Sequence, residues 1–186
     1  MLNITSVCVF CGSRSGNTPD FAAEAETLGR LLAQNNLKTV YGGGQVGLMG
    51  VLAKSALAHG GYVKGVIPSF LNRREVKFDA ISEIIETETL RERIRVMAEC
   101  ADAFIVLPGG VGTLDELMQM LTMNILKEHD KALILIDKDG FWQPLISLLA
   151  AMAEAGFLYP GTLDRLTLVP GAQAAIDALA NPNSQD

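Results

Sequence analysis

Short apolar runs rich in β-forming residues alternate along the chain with longer stretches in which apolar positions recur every three or four residues. The runs Ser6–Phe10, Lys38–Tyr41, Tyr62–Ile67, Ile81–Thr87, Ala103–Leu107, Ala132–Ile136 and Leu166–Val169 are expected as strands. The stretches Phe21–Gln34, Leu48–His59, Leu90–Cys100, Thr113–Leu126, Trp142–Ala155 and Ala172–Leu179 are expected as helices. Strands that read as continuous Val, Ile and Leu, without alternation, are buried on both faces. The pattern therefore predicts an α/β fold: a doubly wound, mostly parallel sheet with helices on both faces. No internal repeat or linker interrupts it, so one domain is expected over residues 1–180, followed by a short polar tail, 181–186.

In such a Rossmann-like sheet, ligands bind outside the carboxyl ends of the strands, near the point where strand order reverses. Four loops are expected at that edge: Cys11–Asn17, Tyr41–Gly47, Val66–Pro68 and Pro108–Gly112. Three are rich in glycine, and together they predict a shared nucleotide crevice. Gly42, Gly44 and Gly47 carry the G-x-G-x-x-G spacing of a dinucleotide loop. They follow the second strand and not the first, and Ile67-Pro68 stands where an acidic ribose ligand would be needed. A mononucleotide is the better expectation than NAD.

Pro108-Gly-Gly-Val-Gly-Thr-Leu-Asp-Glu116 carries the most information. Gly109, Gly110 and Gly112 allow positive φ and close approach of a ligand, and a helix beginning near Thr113 offers unpaired N–H groups and the positive end of its dipole to an anion. Glu116, one turn further on, would then lie about a sugar's distance from a bound phosphate. A second reading stands beside this one. Thr113 and Glu116 also have capping-box spacing, in which the two side chains only satisfy each other's backbone donors.

Composition narrows the partners. The 186 residues are 49% hydrophobic and 19% charged, with a net charge of −6 and a pI near 4.9, which argues against a nucleic-acid-binding surface. No apolar run approaches the ~18 residues needed to cross a bilayer, and Met1–Ser6 lacks the basic segment of a secretory signal, so a cytoplasmic location with no membrane partner is expected. Cys8-Val-Phe-Cys11 has the spacing of a redox or zinc half-site, but positions three apart on a strand face opposite sides and no second pair accompanies it. Packing accounts for it better, and no metal is expected. On the helix Leu90–Cys100, the expected core face is Leu90, Ile94, Met97 and Ala101, with Arg91 and Arg95 on one flank and Arg93 on the other. Read alone, each arginine is a candidate surface ion pair. Ser69–Asp79, with Arg73, Arg74, Glu75 and Lys77, reads as a solvated charged connection, with a flap over the crevice as the alternative.

Taken in order, Cys11-Gly-Ser-Arg-Ser-Gly-Asn17, Tyr41-Gly-Gly-Gly-x-x-Gly-Leu-Met-Gly50, Gly65-Val-Ile-Pro68, Arg91-Glu-Arg93 and Pro108-Gly-Gly-x-Gly-Thr-x-x-Glu116 closely resemble the LOG ("lonely guy") family of cytokinin riboside 5′-monophosphate phosphoribohydrolases, over roughly residues 4–155. The resemblance implies hydrolysis of the N-glycosidic bond of adenosine 5′-monophosphate or its N6-prenylated relatives, giving a free base and ribose 5-phosphate, without a metal or organic cofactor. It implies Glu116 as the catalytic acid residue, ionised, with Arg93 as the catalytic arginine holding it through a bidentate pair. It further implies that Gly109, Gly110, Gly112 and Thr113 hold the phosphate, that Ser13, Gly43 and Gly44 line the nucleotide cleft, and that Met97 touches the base. A homodimer is implied as well. Members are often labelled lysine decarboxylases, but no lysine here stands out as an anchor for pyridoxal phosphate.

The chain departs from the family pattern after the motif. Thr122-Met-Asn-Ile-Leu-Lys-Glu-His129 stands where Thr-Trp-Ala-Gln-Leu-Gly-Ile-His is usual, and Ile94 replaces a lysine. Base preference or subunit contact is where those changes would tell. A competing function is a non-catalytic binding protein like the related molybdenum-cofactor carriers, which hold a phosphorylated ligand on similar glycine loops. Such a carrier needs the phosphate cradle and has no use for an acid beside the ribose.

Overall fold

The computed structural model describes residues 4–71, 78 and 80–180; the tail 181–186 and residues 72–77 and 79 of the charged connection lie outside the described residues. Among the described residues, seven strands and six α-helices follow one another as β1 (Ser6–Phe10), α1 (Pro19–Gln34), β2 (Lys38–Tyr41), α2 (Gly47–Ala58), β3 (Val63–Pro68), β4 (Glu83–Thr87), α3 (Leu90–Glu99), β5 (Ala103–Val106), α4 (Val111–Ile125), β6 (Leu133–Ile136), α5 (Gln143–Glu154), β7 (Leu166–Val169) and α6 (Ala172–Ala180). The strands form one sheet in the order β4-β3-β2-β1-β5-β6-β7, with every neighbouring pair parallel. Cys8 is in register with Val40 of β2 on one side and Phe104 of β5 on the other, so strand order reverses between β1 and β5.

Each face of the sheet buries its own core. Val7, Val9 and Cys11 point to the face covered by α1, α2 and α6, whereas Cys8 and Phe10 point to the face covered by α3, α4 and α5. Phe10 stacks on Phe104 within the second core, with ring centroids 5.6 Å apart. Cys8 and Cys11 are thus free thiols on opposite sides of the sheet, as a strand period of two requires. Helices α1 and α2 approach closely because Gly29 has no side chain: a β-carbon there would overlap the Leu52 carbonyl oxygen. Nearby, Ser55 Oγ donates to the Glu26 carbonyl at 2.6 Å and ties the same two helices together.

Local signals set the helix ends. Thr18 accepts from the Asp20 N–H ahead of Pro19 at the start of α1, and Thr89 accepts from the Glu92 N–H at the start of α3. Glu92 in turn accepts from the Glu88 N–H at 2.8 Å. The core face of α3 differs from the expected one. Its buried residues are Arg93, Ile94, Met97 and Ala98, while Leu90 is 48% exposed. Leu90 occupies the first helical position; the expected Ile94, Met97 and Ala101 are buried, and the buried face takes in Arg93 in place of Leu90.

Two tethers position the functional edge. At the amino end of the sheet, Asp102 Oδ2 accepts from the backbone N–H and the hydroxyl of both Thr5 and Ser6, at 2.8–3.0 Å, which joins β1 to the start of β5. At the carboxyl end, the Gly12 N–H donates to the Pro108 carbonyl at 3.2 Å and the Leu48 N–H donates to the Gly12 carbonyl at 3.0 Å. The loops after β1, β2 and β5 are therefore laced together by backbone at the switch point, where such folds open a crevice.

Candidate active site

The crevice is a cavity of about 390 Å³ bordered by Gly12–Gly16, Gly42, Met49, Arg93, Pro108–Thr113 and Glu116, and reaching Phe21 and Phe141. Of the residues singled out from sequence, it brings together Ser13, Arg93, Gly109, Gly110, Gly112, Thr113 and Glu116. Gly43, Gly44 and Met97 are not part of its wall. Gly43 has φ +77°, and a β-carbon there would stand 3.0 Å from Ile67 Cβ; Met97, 1% exposed, faces the core beneath α3.

The capping-box reading of Thr113 and Glu116 is overturned. Helix α4 begins at Val111, two residues before the expected Thr113, with Gly110 as an extended N-cap that offers no side-chain bond. Thr113 is consequently the third helical residue and caps nothing, so the capping box is absent. The first N–H bonded within the helix is that of Leu114, to the Gly110 carbonyl at 3.0 Å. Those of Val111, Gly112 and Thr113 precede it, as expected for a helix end that can receive an anion. The three loop glycines are needed for room and not for handedness, since none of them has a positive φ. A β-carbon on Gly109 would overlap the Thr113 hydroxyl, whereas on Gly110 or Gly112 it would meet nothing within 4 Å. The last two therefore keep the wall of the crevice bare without any demand from the protein's own packing.

Arg93 and Glu116 come from different helices, α3 and α4, on the same face of the sheet. They are 8% and 9% exposed, which replaces the surface-ion-pair reading of Arg93 with a buried one. Burying a guanidinium requires partners. Arg93 Nε donates to the Val66 carbonyl at 3.1 Å and Nη2 donates to the Gly42 carbonyl at 3.1 Å. Nη2 also lies 3.7 Å from Glu116 Oε1. The expected bidentate clamp on Glu116 is thus absent, because the guanidinium is held by main-chain carbonyls at the ends of β2 and β3.

The glycine-rich loop after β2 serves this arrangement. Gly47, at φ +59°, lets the backbone of Ser13 and Arg14 pass so closely that a β-carbon would overlap the Ser13 carbonyl carbon. Cys11 also lines the crevice, where desolvation pushes its thiol well above the usual range and the Glu116 charge pushes the same way. It is accordingly a neutral packing group at neutral pH and no thiolate nucleophile.

Arg14, Phe21 and Phe141 are among the wall residues that sequence reasoning missed. Arg14 is exposed and brings a second cation to the loop after β1; it stood inside a quoted motif and only its chemistry needed asking about. Phe21 and Phe141 meet edge to face with centroids 5.8 Å apart at one end of the cavity. Nothing in the sequence shows that the connection after β6 reaches the first turn of α1. The divergent segment Thr122–His129 stays away from the cavity. Asn124 is buried at the far end of α4, where its Nδ2 donates to the Lys131 carbonyl at 3.3 Å and its side-chain oxygen accepts from Arg165. Ile94, in place of the usual lysine, is core.

The fold and the crevice define a doubly wound α/β protein with an anion-ready helix end and a buried carboxylate–guanidinium pair at its switch point. A family model described as "Possible lysine decarboxylase" matches residues 49–179, and no lysine is among the described residues lining the crevice. The cytokinin riboside 5′-monophosphate phosphoribohydrolase of Rhodococcoides fascians is 40% identical over 178 residues, covering 95% of this chain and 90% of that protein. The probable cytokinin riboside 5′-monophosphate phosphoribohydrolase LOG4 of Oryza sativa subsp. japonica is 43% identical over 155 residues, covering 83% and 67%. The chain belongs to this LOG family of phosphoribohydrolases. Among solved structures, the molybdenum cofactor binding protein of Rippkaea orientalis superposes with a TM-score of 0.73 over 98% of this chain and 99% of that one. At 22% identity, that likeness speaks to the fold alone.

Proposed function

We propose that the protein hydrolyses the N-glycosidic bond of adenosine 5′-monophosphates, with or without an N6 substituent, to a free base and ribose 5-phosphate. The observation that carries this reading is the buried Glu116 carboxylate one helical turn below the bare amino end of α4, with Arg93 beside it. A phosphate on the N–H groups of Val111, Gly112 and Thr113 sets the attached ribose near Glu116. Bond cleavage builds positive charge on the sugar ring. A fixed carboxylate stabilises that charge and orients the attacking water, while Arg93 supports the carboxylate and reaches a ribose hydroxyl or the phosphate. Arg14 adds attraction for the phosphate at the mouth.

We read residues 1–180 as a single nucleotide-binding domain, active as a cytoplasmic homodimer with neither nucleic-acid nor membrane partners. In support, no helix among the described residues is long and apolar enough to cross a membrane, and the net charge is −6. Leu148, Met152, Phe157 and Tyr159 leave an exposed apolar surface on and after α5 that a second subunit would cover. A carrier on the same fold would bind nucleotide without turnover.

The test is chromatographic release of base and ribose 5-phosphate from AMP and from isopentenyladenosine 5′-monophosphate, with the unphosphorylated nucleosides and Glu116→Gln as controls. Turnover of monophosphates alone, lost in the variant, supports the reading. Tight nucleotide binding without turnover overturns it in favour of a carrier.

A further inference from the structure

The glycine spacing after β2 invites a ligand-binding explanation, yet Gly42 is crowded by the protein itself. Its φ is not positive, so no backbone strain demands a glycine there. A β-carbon at this position would overlap Arg93 Nη2 and stand 3.2 Å from Arg93 Cζ. The other close neighbour is Met49 Sδ at 3.0 Å, in a flexible side chain that can yield. The carbonyl of the same residue accepts the Nη2 hydrogen bond at 3.1 Å. Gly42 thus offers the guanidinium a seat through its oxygen and the space to reach it through its missing side chain. Val66, whose carbonyl takes Nε, supplies the second anchor from β3.

We infer that Gly42 is a positioning residue for Arg93: it fixes where the guanidinium stands relative to Glu116, and it acts on hydrolysis only through Arg93. This rests on the assignment of Arg93 to the hydrolytic site. A methyl at this position moves a side-chain end and not a main chain, so Gly42→Ala should fold with its guanidinium displaced. A shift of about 1 Å in such a group can cost roughly 100-fold in rate.

The experiment is a double-mutant cycle of Gly42→Ala and Arg93→Ala, read by AMP hydrolysis, by AMP binding in a Glu116→Gln background, and by the midpoint of urea unfolding. Gly42→Ala alone should lower kcat about 100-fold while nucleotide affinity falls by less, about tenfold at most. In the Arg93→Ala background it should change kcat less than about twofold, and any shift in unfolding midpoint seen in the wild-type background should vanish, because the clash is gone. Equal losses in both backgrounds would overturn the inference and assign Gly42 to the ligand or the loop. If Gly42→Ala fails to fold, recovery of folding in the double variant upholds the coupling and continued failure overturns it. A wild-type protein without hydrolysis would instead refute the proposed function, with the unfolding cycle still deciding whether Gly42 and Arg93 are coupled.

Discussion

Arg93 Nη2 stands 3.7 Å from Glu116 Oε1, within reach of mutual attraction and beyond a direct hydrogen bond. The pair is not a structural clamp of the kind that only fastens two helices. The guanidinium is fastened elsewhere, to Gly42 and Val66, and is presented to the carboxylate. That division between anchoring and presentation is what a preorganised site needs, because the donors do not have to move when charge develops.

Replacing Glu116 by Gln keeps its size and removes its charge. Hydrolysis of AMP should fall about 10³-fold or more, while calorimetric affinity for AMP stays within about tenfold. Parallel collapse of turnover and binding would show that the carboxylate serves the fold and not the reaction.

Gly112→Ala separates stability from function. Its β-carbon would point into open space, and an alanine within a helix is more stable than a glycine by about 0.5–1 kcal/mol. The free protein should therefore unfold at slightly higher urea, yet its KM for the monophosphate should rise about tenfold or more as the methyl enters the phosphate's space. An unchanged KM would remove the α4 amino end from the binding site.

Arg14 is exposed beside the same cradle. Arg14→Ala should raise KM for AMP several-fold, leave kcat within about twofold, and flatten the dependence of KM on salt, since a charge–phosphate attraction is screened. Steady-state kinetics at 0.05 and 0.5 M salt would show this. A drop in kcat with unchanged KM would contradict it.

Asp102 carries a pH-dependent contribution to stability. Desolvation raises its pKa, but the Thr5 backbone N–H and the Ser6 and Thr5 hydroxyls outweigh that, and the net shift is downward. A folded-state pKa below the unfolded one stabilises above the unfolded value, and the benefit is lost as pH falls through the folded one. Asp102→Asn should therefore destabilise the protein at pH 7 by roughly 1–2 kcal/mol, with solvent screening favouring the low end, and the difference from wild type should shrink toward pH 3. Urea unfolding at both pH values measures it, and a difference that does not depend on pH would contradict the assignment.

Every strand and α-helix among the described residues was legible in the alternation of apolar runs and helical periods, with ends displaced by no more than two residues, as at Pro19 in α1 and Val111 in α4, whereas the one-turn 3-10 helices Lys138–Gly140 and Leu163–Arg165 were not. Those displacements have local causes. Pro19 and Gly110 carry no apolar signal and belong to the helix boundary by backbone geometry alone. The glycine-rich turn into α4 and the place of Glu116 on that helix were equally legible, because both lie within nine contiguous residues. The role of Arg93 was different: its periodicity placed it beside the core stripe, and only the family resemblance raised it above a surface cation.

Short-range pattern by itself determined that this chain makes a parallel sheet between two layers of helices, and that a glycine-rich turn into a helix follows Leu107. Both are properties of contiguous residues, carried by hydrophobic period and by glycine. Tertiary structure alone decided that β1 and β5 lie side by side, that Gly42 makes room for a guanidinium arriving from α3, that Leu90 faces outward, and that Phe21 meets Phe141. These depend on which distant segments become neighbours. Strand order and side-chain packing settle that over the whole molecule, and no local window of sequence contains it.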